Sequence, residues 1–320
     1  MAKASKHCLA FYKLYRTIGG IVVEGYNEAR GSEHKLVGTY LLPPEHTLTS
    51  LCEAADPVGL LDYLWIYCAH TQPNPDETAA PLLLGDKLLA PIESQPVWAA
   101  GVTYETSKFA RMEESEAAKD CYAWVYDPEH RPELFFKALP HQVAGHGRRV
   151  RMSKKSKWFV PEPEFVLWVN SKQVIVGYSL GNDMSARDIE GENPLYLPQA
   201  KIYDDGFGLG PGITIFRNVE LPRTTGLRLI VRRAGVEIFN GATTLEKFNR
   251  TFRNLVDHLF EDRSFPQGVL LSTGTCVVPS NDTVIGAAAG ATGNWTLAPG
   301  DELEISATRL GSLINTVYQA

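Results

Sequence analysis

The sequence predicts an α+β protein in which strands outnumber helices. From Val97–Gly101 to Glu302–Ile305 the chain consists mainly of short strand-like runs separated by turn residues, a pattern typical of antiparallel sheets. One amphipathic helix interrupts these runs near residue 250. With 320 residues and 44% hydrophobic content, the chain is long enough to bury a full core. We therefore expect a mostly β fold with a few helices packed outside.

The first 95 residues form a distinct region of the sequence. Two strand-like runs lie at Ile21–Glu24 and Lys35–Gly38, and a helical pattern covers Val58–Ala69. A connector rich in proline follows, with Pro73, Pro75, Pro81, Pro91 and Pro96. Such connectors are typical of domain boundaries. The sequence therefore predicts a small N-terminal α+β domain over residues 1–95 and a larger domain over 96–320.

A β-hairpin is predicted near the middle of the chain. Phe165–Val169 and Val174–Tyr178 are strand-like runs on either side of a polar turn. If Asn170 pairs with Gln173 across that turn, Glu162 lies opposite Gly181. The register of the hairpin thus determines which polar residues meet at its open end.

Three carboxylates converge at this open end. Glu162 and Glu164 are two residues apart on one strand and therefore share a face, and Asp183 lies one step beyond Gly181 on the other strand. Carboxylates this close repel one another, so they need a cation, a shared proton or basic neighbours. A plainer interpretation is a polar strand entry with Asp183 in a turn. The following segment, residues 185–201, contains too much Gly and Pro for a long helix and is rich in ionisable side chains.

The predicted helix near residue 250 begins with a capping box. Thr243 and Glu246 are its capping residues. The apolar stripe that follows consists of Leu245, Phe248, Phe252, Leu255 and Leu259.

Composition excludes several classes of protein. A net charge of −6 argues against general binding to nucleic acid or to anionic membranes. The five cysteines are scattered and form no C-x-x-C pair, which favours a reducing compartment. No secretory signal and no run of about 18 apolar residues is found. We expect a cytoplasmic protein without nucleic-acid or membrane partners.

Several ordered motifs resemble the fumarylacetoacetate hydrolase superfamily over about residues 97 to 310. They are Pro161-Glu162-Pro163-Glu164, Asn182-Asp183-Met184-Ser185-Ala186-Arg187-Asp188, Lys201 and Thr273-Gly274-Thr275. Further sequence motifs resemble those of the branch of 2-keto-3-deoxy-pentonate (arabinonate or xylonate) dehydratases. They are Pro132–Ala138, Ser156-Lys157-Trp158 and Asp188–Asp204. The resemblance implies a β-roll or sandwich with peripheral helices, and places the catalytic domain in residues 96–320.

The resemblance also implies roles for individual residues. Glu162, Glu164 and Asp183 correspond to the family's ligands for a divalent metal. Oxygen ligands without Cys or His favour Mg²⁺, with Mn²⁺ or Ca²⁺ as alternatives, over zinc or copper. Lys201 corresponds to the active-site lysine that stabilises a keto oxygen or enolate, although a salt bridge to Asp204 or Asp205 is the plainer interpretation.

The expected substrate contacts come from four other positions. Arg187 corresponds to an arginine that orients substrate or braces the metal carboxylates, and Thr275 offers a hydroxyl and an N–H to the substrate carboxylate. Ser107 and Arg111 are expected to contact substrate, with an exposed helix as the alternative. Glu133 is the predicted acid/base residue, because related dehydratases have a glutamate in this motif.

The predicted reaction is removal of water from a 2-keto-3-deoxy sugar acid, such as a pentonate converted to 2-oxoglutarate semialdehyde. Hydrolytic relatives have a histidine and a glutamate shortly after a tyrosine early in this domain. Here Gly101-Val102-Thr103-Tyr104 matches that element, but no histidine lies between His70 and His130. We therefore expect lyase activity, with acylpyruvate hydrolysis, decarboxylation or tautomerisation of 2-keto diacids, and metal or ligand binding without catalysis as alternatives. The resemblance also predicts a homodimer or homotetramer.

Overall fold

The computed structural model describes residues 9–28, 34–72, 74–114, 119–217, 220–285 and 295–319. The strands are β1 Phe11–Thr17, β2 Gly20–Glu28, β3 His34–Leu41, β4 Val97–Gly101, β5 Glu133–Ala138, β6 Val143–Ala144, β7 Arg149–Met152, β8 Phe159–Val160, β9 Pro163–Val169, β10 Ile175–Asp183, β11 Ser185–Ala186, β12 Phe207–Phe216, β13 Gly226–Arg233, β14 Val236–Thr244, β15 Val269–Ser272, β16 Glu302–Ala307 and β17 Gly311–Gln319. The helices are α1 Leu48–Cys52, α2 Pro57–Thr71, α3 Pro75–Thr78, α4 Glu105–Glu114, α5 Lys119–Tyr126, α6 Arg187–Glu192, α7 Leu197–Lys201 and α8 Phe252–Phe260. The prediction of a mostly β, α+β fold is confirmed.

Most strands belong to two sheets. The larger sheet has ten strands, nine of them in the order β3-β2-β1-β12-β10-β9-β15-β4-β5, with β6 beside β12. The smaller sheet has five strands in the order β14-β13-β16-β17-β7, and β8 pairs separately with β11. Because β1 pairs with β12, the strands of the first 95 residues extend the same sheet as the strands that follow. The boundary between residues 95 and 96 stays a prediction.

The larger sheet is covered on both faces. Phe165, Leu167 and Val169 of β9 belong to a core cluster shared with the five-stranded sheet and α8. Val166 and Trp168, which point to the opposite face, belong to a second cluster shared with α1 and α2. Full burial of each such side chain contributes about 1.5–3 kcal/mol. This two-sided burial fixes β9, which begins at the predicted carboxylates.

The predicted hairpin is present, but its register differs from the prediction. The Asn170 side chain accepts hydrogen bonds from the N–H groups of Lys172 (3.0 Å) and Val174 (2.9 Å), which closes the turn. The turn pairs Asn170 with Val174 instead of Gln173, with the Asn170 N–H donating to the Val174 carbonyl at 2.9 Å. A bulge between Ile175 and Gly177 then shifts the pairing by one further residue. Gly181 consequently lies opposite Glu164 rather than Glu162. The N–H of Asp183 donates to the carbonyl of Glu162 at 2.9 Å, so these two acidic residues face each other directly.

The predicted start of the helix near residue 250 is wrong. The strand β14 continues through Thr244, and a 3₁₀ turn follows at Leu245–Lys247. Extended backbone then pairs Phe248 with Tyr104, which prevents a helix there. The α-helix begins after Thr251, whose hydroxyl caps it by accepting from the N–H of Asn254 at 3.0 Å.

The helix predicted at residues 58–69 is confirmed as α2. Asp56 caps its first turn by accepting a hydrogen bond from the N–H of Gly59 at 2.9 Å, and Pro57 occupies the first helical position. Over the described ranges, none of the helices combines the length and apolar character needed to cross a bilayer.

Candidate active site

The three predicted metal-binding carboxylates form a buried cluster at one end of β9 and β10. Ligand oxygens of Glu162, Glu164 and Asp183 all lie within 4.8 Å of one another. The exposed fractions of these residues are 3%, 1% and 1%, so water does little to screen their mutual repulsion. The direct pairing of Glu162 with Asp183 makes the cluster tighter than the predicted register would have made it.

Glu164 is the carboxylate of this cluster that no basic side chain contacts within the described residues. Its Oε2 accepts hydrogen bonds from the hydroxyl of Ser272 (2.5 Å) and the N–H of Gly274 (2.8 Å). Burial, reinforced by the nearby charges of Asp183 and Glu162, raises the pKa of Glu164 to about 8. A cation bound next to Glu164 would relieve this repulsion.

Lys201 lies on the opposite side of the cluster, at the end of α7. Its ammonium donates to Glu162 Oε2 at 2.6 Å, to Asp183 Oδ2 at 3.1 Å and to the hydroxyl of Ser185 at 2.7 Å. The structure therefore brings Lys201 to the cluster and pairs it with Glu162 and Asp183 instead of Asp204 or Asp205.

Arg187 braces the cluster from the start of α6. Its Nη2 donates to Glu162 Oε1 at 2.5 Å, and the side chain is almost completely buried. Because Lys201 binds the other oxygen of the same carboxylate, both oxygens of Glu162 have fixed cationic partners.

The sequence interpretation missed Lys137 as a site residue. Its ammonium lies 2.6 Å from Asp183 Oδ1 and also donates a short hydrogen bond to the backbone carbonyl of Lys201. Burial lowers the pKa of Lys137, and the charge of Asp183 opposes that shift. A partial signal was present, since Glu133, Phe135 and Lys137 are spaced two residues apart in one strand, although a bulge at Lys137 interrupts the regular alternation.

Glu190 is a second missed residue. It lies on α6 with an exposed fraction of 1%, and its Oε1 is 3.8 Å from the Lys201 ammonium. The Lys201 ammonium thus lies near three carboxylates, those of Glu162, Asp183 and Glu190, at 2.6, 3.1 and 3.8 Å. The sequence showed that residues 185–201 are rich in charge, but not which of those charges turn inward.

A small cavity opens onto the carboxylate cluster. Its lining consists of Ala100, Gly101, Val102, Ser107, Phe135, Glu162, Glu164, Asp183, Arg187, Lys201 and Thr275. Two of the residues predicted to contact substrate line this cavity: Ser107, whose hydroxyl donates to the carbonyl of Tyr104 at 2.7 Å, and Thr275, whose hydroxyl donates to the carbonyl of Pro163 at 3.3 Å. The described residues of this lining include no histidine.

The two remaining predicted residues lie around this cavity. Glu133 begins β5 opposite Gly101, which lines the cavity, and it shares a strand face with Phe135. It is therefore next to the cavity rather than among the groups that bind the carboxylate cluster. Arg111 lies on α4, but its side chain is outside the described part of the structure.

The donor set fits a hard divalent cation. Carboxylate oxygens are the ligands that Mg²⁺ prefers, and the cluster contains neither cysteine nor histidine. The raised pKa of Glu164 and the basic groups packed against the other two carboxylates indicate a site with excess negative charge.

Comparison with known proteins identifies the family of this chain. Residues 98–318 match the family model described as fumarylacetoacetate (FAA) hydrolase C-terminal. The chain belongs to the fumarylacetoacetate hydrolase family. It is 36% identical over 234 residues to the 2-dehydro-3-deoxy-D-arabinonate dehydratase of Saccharolobus solfataricus, covering 72% of this chain and 74% of the relative. It is 38% identical over 227 residues to a probable 2-keto-3-deoxyxylonate dehydratase of Haloferax volcanii, covering 71% of this chain and 73% of the relative.

Solved structures share the fold over nearly the whole chain. A 2-keto-3-deoxy-D-arabinonate dehydratase complexed with magnesium and 2,5-dioxopentanoate aligns with a TM-score of 0.69 at 27% identity, covering 97% of this chain and 99% of that one. A 2-hydroxyhepta-2,4-diene-1,7-dioate isomerase from Mycobacterium marinum aligns with a TM-score of 0.56 at 18% identity, covering 97% and 98%. The resemblance to the family and to its dehydratase branch is therefore confirmed.

Proposed function

We propose that this chain is a magnesium-dependent dehydratase that removes water from a 2-keto-3-deoxy sugar acid, with a pentonate as substrate and 2-oxoglutarate semialdehyde (2,5-dioxopentanoate) as product. The observation that carries the proposal is the buried cluster of three carboxylates and its basic neighbours. It occurs in a chain that is 36–38% identical to dehydratases of this substrate class. The neighbouring structure that contains magnesium and 2,5-dioxopentanoate supports the same reaction.

Glu162, Glu164 and Asp183 are the residues that would hold the metal, with Mg²⁺ as the proposed ion and Mn²⁺ or Ca²⁺ as alternatives. When bound, the ion supplies a Lewis acid that makes the C3 protons of a chelating 2-keto acid more acidic. Arg187 and Lys201 hold the two oxygens of Glu162, and Lys201 also contacts Asp183, before the substrate enters.

Positive charge from Lys201 and Arg187 is available to the anionic substrate. Both side chains line the cavity and are largely shielded from water, so their charges act in a medium of low dielectric. Lys201 would stabilise the negative charge that develops on the C2 oxygen when C3 loses a proton. Ser107 and Thr275, which also line the cavity, would hold the substrate carboxylate, and Arg111 is an expected further contact.

Glu133 is the proposed acid/base residue because it lies beside the cavity, at the first position of β5. It would take a proton from C3 and return a proton to the C4 hydroxyl, so that the C4–O bond breaks and one water leaves. The double bond formed between C3 and C4 then moves to C4–C5, as C5 loses a proton and C3 gains one. The enol hydroxyl on C5 finally transfers its proton to C4, which gives the C5 aldehyde. The balance is one sugar acid to one dioxo acid plus one water.

The proposal is tested with a panel of 2-keto-3-deoxy pentonates and hexonates that differ in configuration at C4. The magnesium form should convert at least one pentonate to a product lighter by one water, measured by mass spectrometry. Cleavage of a C–C bond in place of water loss would assign the site to a hydrolase or decarboxylase. Absence of both turnover and deuterium exchange at C3 in heavy water would indicate a binding protein without catalysis.

A further inference from the structure

We propose that Lys137 is a positioning residue that holds the metal-binding carboxylate Asp183 and the segment bearing Lys201 in one fixed arrangement. This inference rests on the proposed function, because it takes Asp183 to be a ligand of the metal. None of the roles assigned so far requires Lys137 to contact the substrate. The residue is absent from the described lining of the cavity.

The ammonium of Lys137 makes two contacts that join separate parts of the chain. It lies 2.6 Å from Asp183 Oδ1, at the end of β10, and it donates to the backbone carbonyl of Lys201, at the end of α7. The carbonyls in the last turn of a helix have no partner within that helix, so this donor satisfies one of them. One side chain thereby links a predicted metal ligand to the segment that carries the catalytic lysine.

The two oxygens of Asp183 have different cationic partners. Oδ1 faces Lys137 and Oδ2 lies 3.1 Å from the ammonium of Lys201. With both oxygens held, rotation of the carboxylate is blocked. Loss of Lys137 would leave Oδ1 without its cation and would also release the carbonyl of Lys201.

A buried lysine at this position is costly unless it has a specific task. Lys137 has an exposed fraction of 1%, and moving an ammonium out of water costs several kcal/mol unless ionic and hydrogen-bonding partners compensate. Its side chain begins on β5, whose neighbours β4 and β15 connect it to β9 and hence to Glu164. The strand order therefore brings this cation to the carboxylate cluster from β5.

Positioning and simple electrostatics predict opposite changes in metal affinity. If Lys137 were only a positive charge near the metal, its removal would strengthen binding of a divalent cation. If Lys137 positions Asp183, its removal weakens binding. Replacement of residues that orient metal ligands typically lowers metal affinity or activity about 10- to 100-fold.

The test is titration calorimetry of Mg²⁺ into the metal-free forms of the natural protein, Lys137→Met and Lys13→Met. Methionine keeps the length of the lysine stem and removes the charge. Lys13 is the matched control, because it is a largely buried lysine on β1 whose ammonium contacts the Tyr26 ring at 5.0 Å and not the cluster. We expect Lys137→Met to weaken Mg²⁺ binding by about 10- to 100-fold and Lys13→Met to leave it unchanged.

Each outcome separates this inference from the proposed function. Absence of Mg²⁺ binding by the natural protein would overturn the proposed function and this inference with it. Equal or tighter binding by a folded Lys137→Met protein would overturn only the role of Lys137. If Lys137→Met does not fold, Lys137→Gln is titrated against the same criterion. Failure of both variants to fold would overturn the inference, because the lysine would then serve the fold rather than the metal site.

Discussion

Replacement of Glu164 by glutamine should stabilise the metal-free protein while abolishing its Mg²⁺ binding. The Oε1 of a glutamine can accept the same hydrogen bonds that Ser272 and Gly274 donate to Glu164. Its amide would then face Glu162 and Asp183 as a donor in place of a third negative charge. Packing is preserved, so the substitution tests charge rather than shape.

The magnitude of this effect follows from the pKa of Glu164. Burial and the two neighbouring carboxylates raise that pKa from the ordinary glutamate value of 4.5 to about 8. Between these two pH values the native state binds one more proton than the unfolded state, so the stability of the metal-free protein falls as the pH rises. Integration of this difference gives a loss of about 1 kcal/mol near pH 5 and about 3 kcal/mol near pH 7. Glu164→Gln has no such loss.

Denaturant unfolding in the presence of a chelator, at several pH values, measures this difference directly. We expect the stability gained by Glu164→Gln to grow from pH 5 to pH 7, and added Mg²⁺ to stabilise only the natural protein. Glu24→Gln is the control, since Glu24 is a buried glutamate that accepts hydrogen bonds from Tyr15 and Tyr26 far from the cluster. A Glu164→Gln protein that is less stable at pH 7, or that still binds Mg²⁺ with natural affinity, would refute this account.

Three further predictions concern the proton balance and the reaction. Mg²⁺ binding near pH 7 should release close to one proton, because the raised pKa keeps Glu164 largely protonated without metal. Calorimetry in buffers of different ionisation enthalpy measures the number of protons released, and that number should fall to zero well above pH 8. Glu133→Gln should lower kcat by about 10²- to 10⁴-fold without changing Mg²⁺ affinity. Substitution of the exposed Glu129 by glutamine should change neither kcat nor Mg²⁺ affinity. Undiminished turnover by Glu133→Gln would remove Glu133 from the mechanism. Acylpyruvates should not be hydrolysed at a significant rate, because the described cavity lining has no histidine to activate water; formation of pyruvate and a carboxylic acid would contradict the lyase assignment.

The carboxylate cluster could be predicted because it is local in sequence. Glu162, Glu164 and Asp183 lie on the two strands of one hairpin, so alternation along each strand and a short turn were enough to bring them together. Half of the error in register came from the turn, where Asn170 pairs with Val174 instead of Gln173. The other half came from the bulge between Ile175 and Gly177, which no residue type in the turn indicates. The slip left the three side chains on one face because the pairing moved by two residues rather than one.

Helix boundaries were less predictable than strands because tertiary pairing decided them. Thr243 and Glu246 have the spacing of a capping box, and in isolation they would start a helix. The pairing of β14 with β13 extends through Thr244, and Phe248 is held in extended backbone opposite Tyr104. The helix therefore begins only at the next suitable cap, Thr251. Contacts with residues far away in the chain therefore overrode the local capping signal at Thr243 and Glu246.

The basic half of the site depends on the order of strands, which the sequence does not encode in any short motif. Lys137 is 46 positions from Asp183 in the sequence, and it reaches that carboxylate only because β15 and β4 place β5 on the same sheet as β9. Three buried carboxylates require compensating charge, so their presence implied cations nearby but could not identify them. Lys201 and Arg187 were identified through the family resemblance, whereas Lys137 and Glu190 emerged from the geometry. A buried acidic cluster found by spacing should therefore prompt a search for lysines at alternating positions on strands elsewhere in the chain, since such lysines balance its charge and orient its ligands.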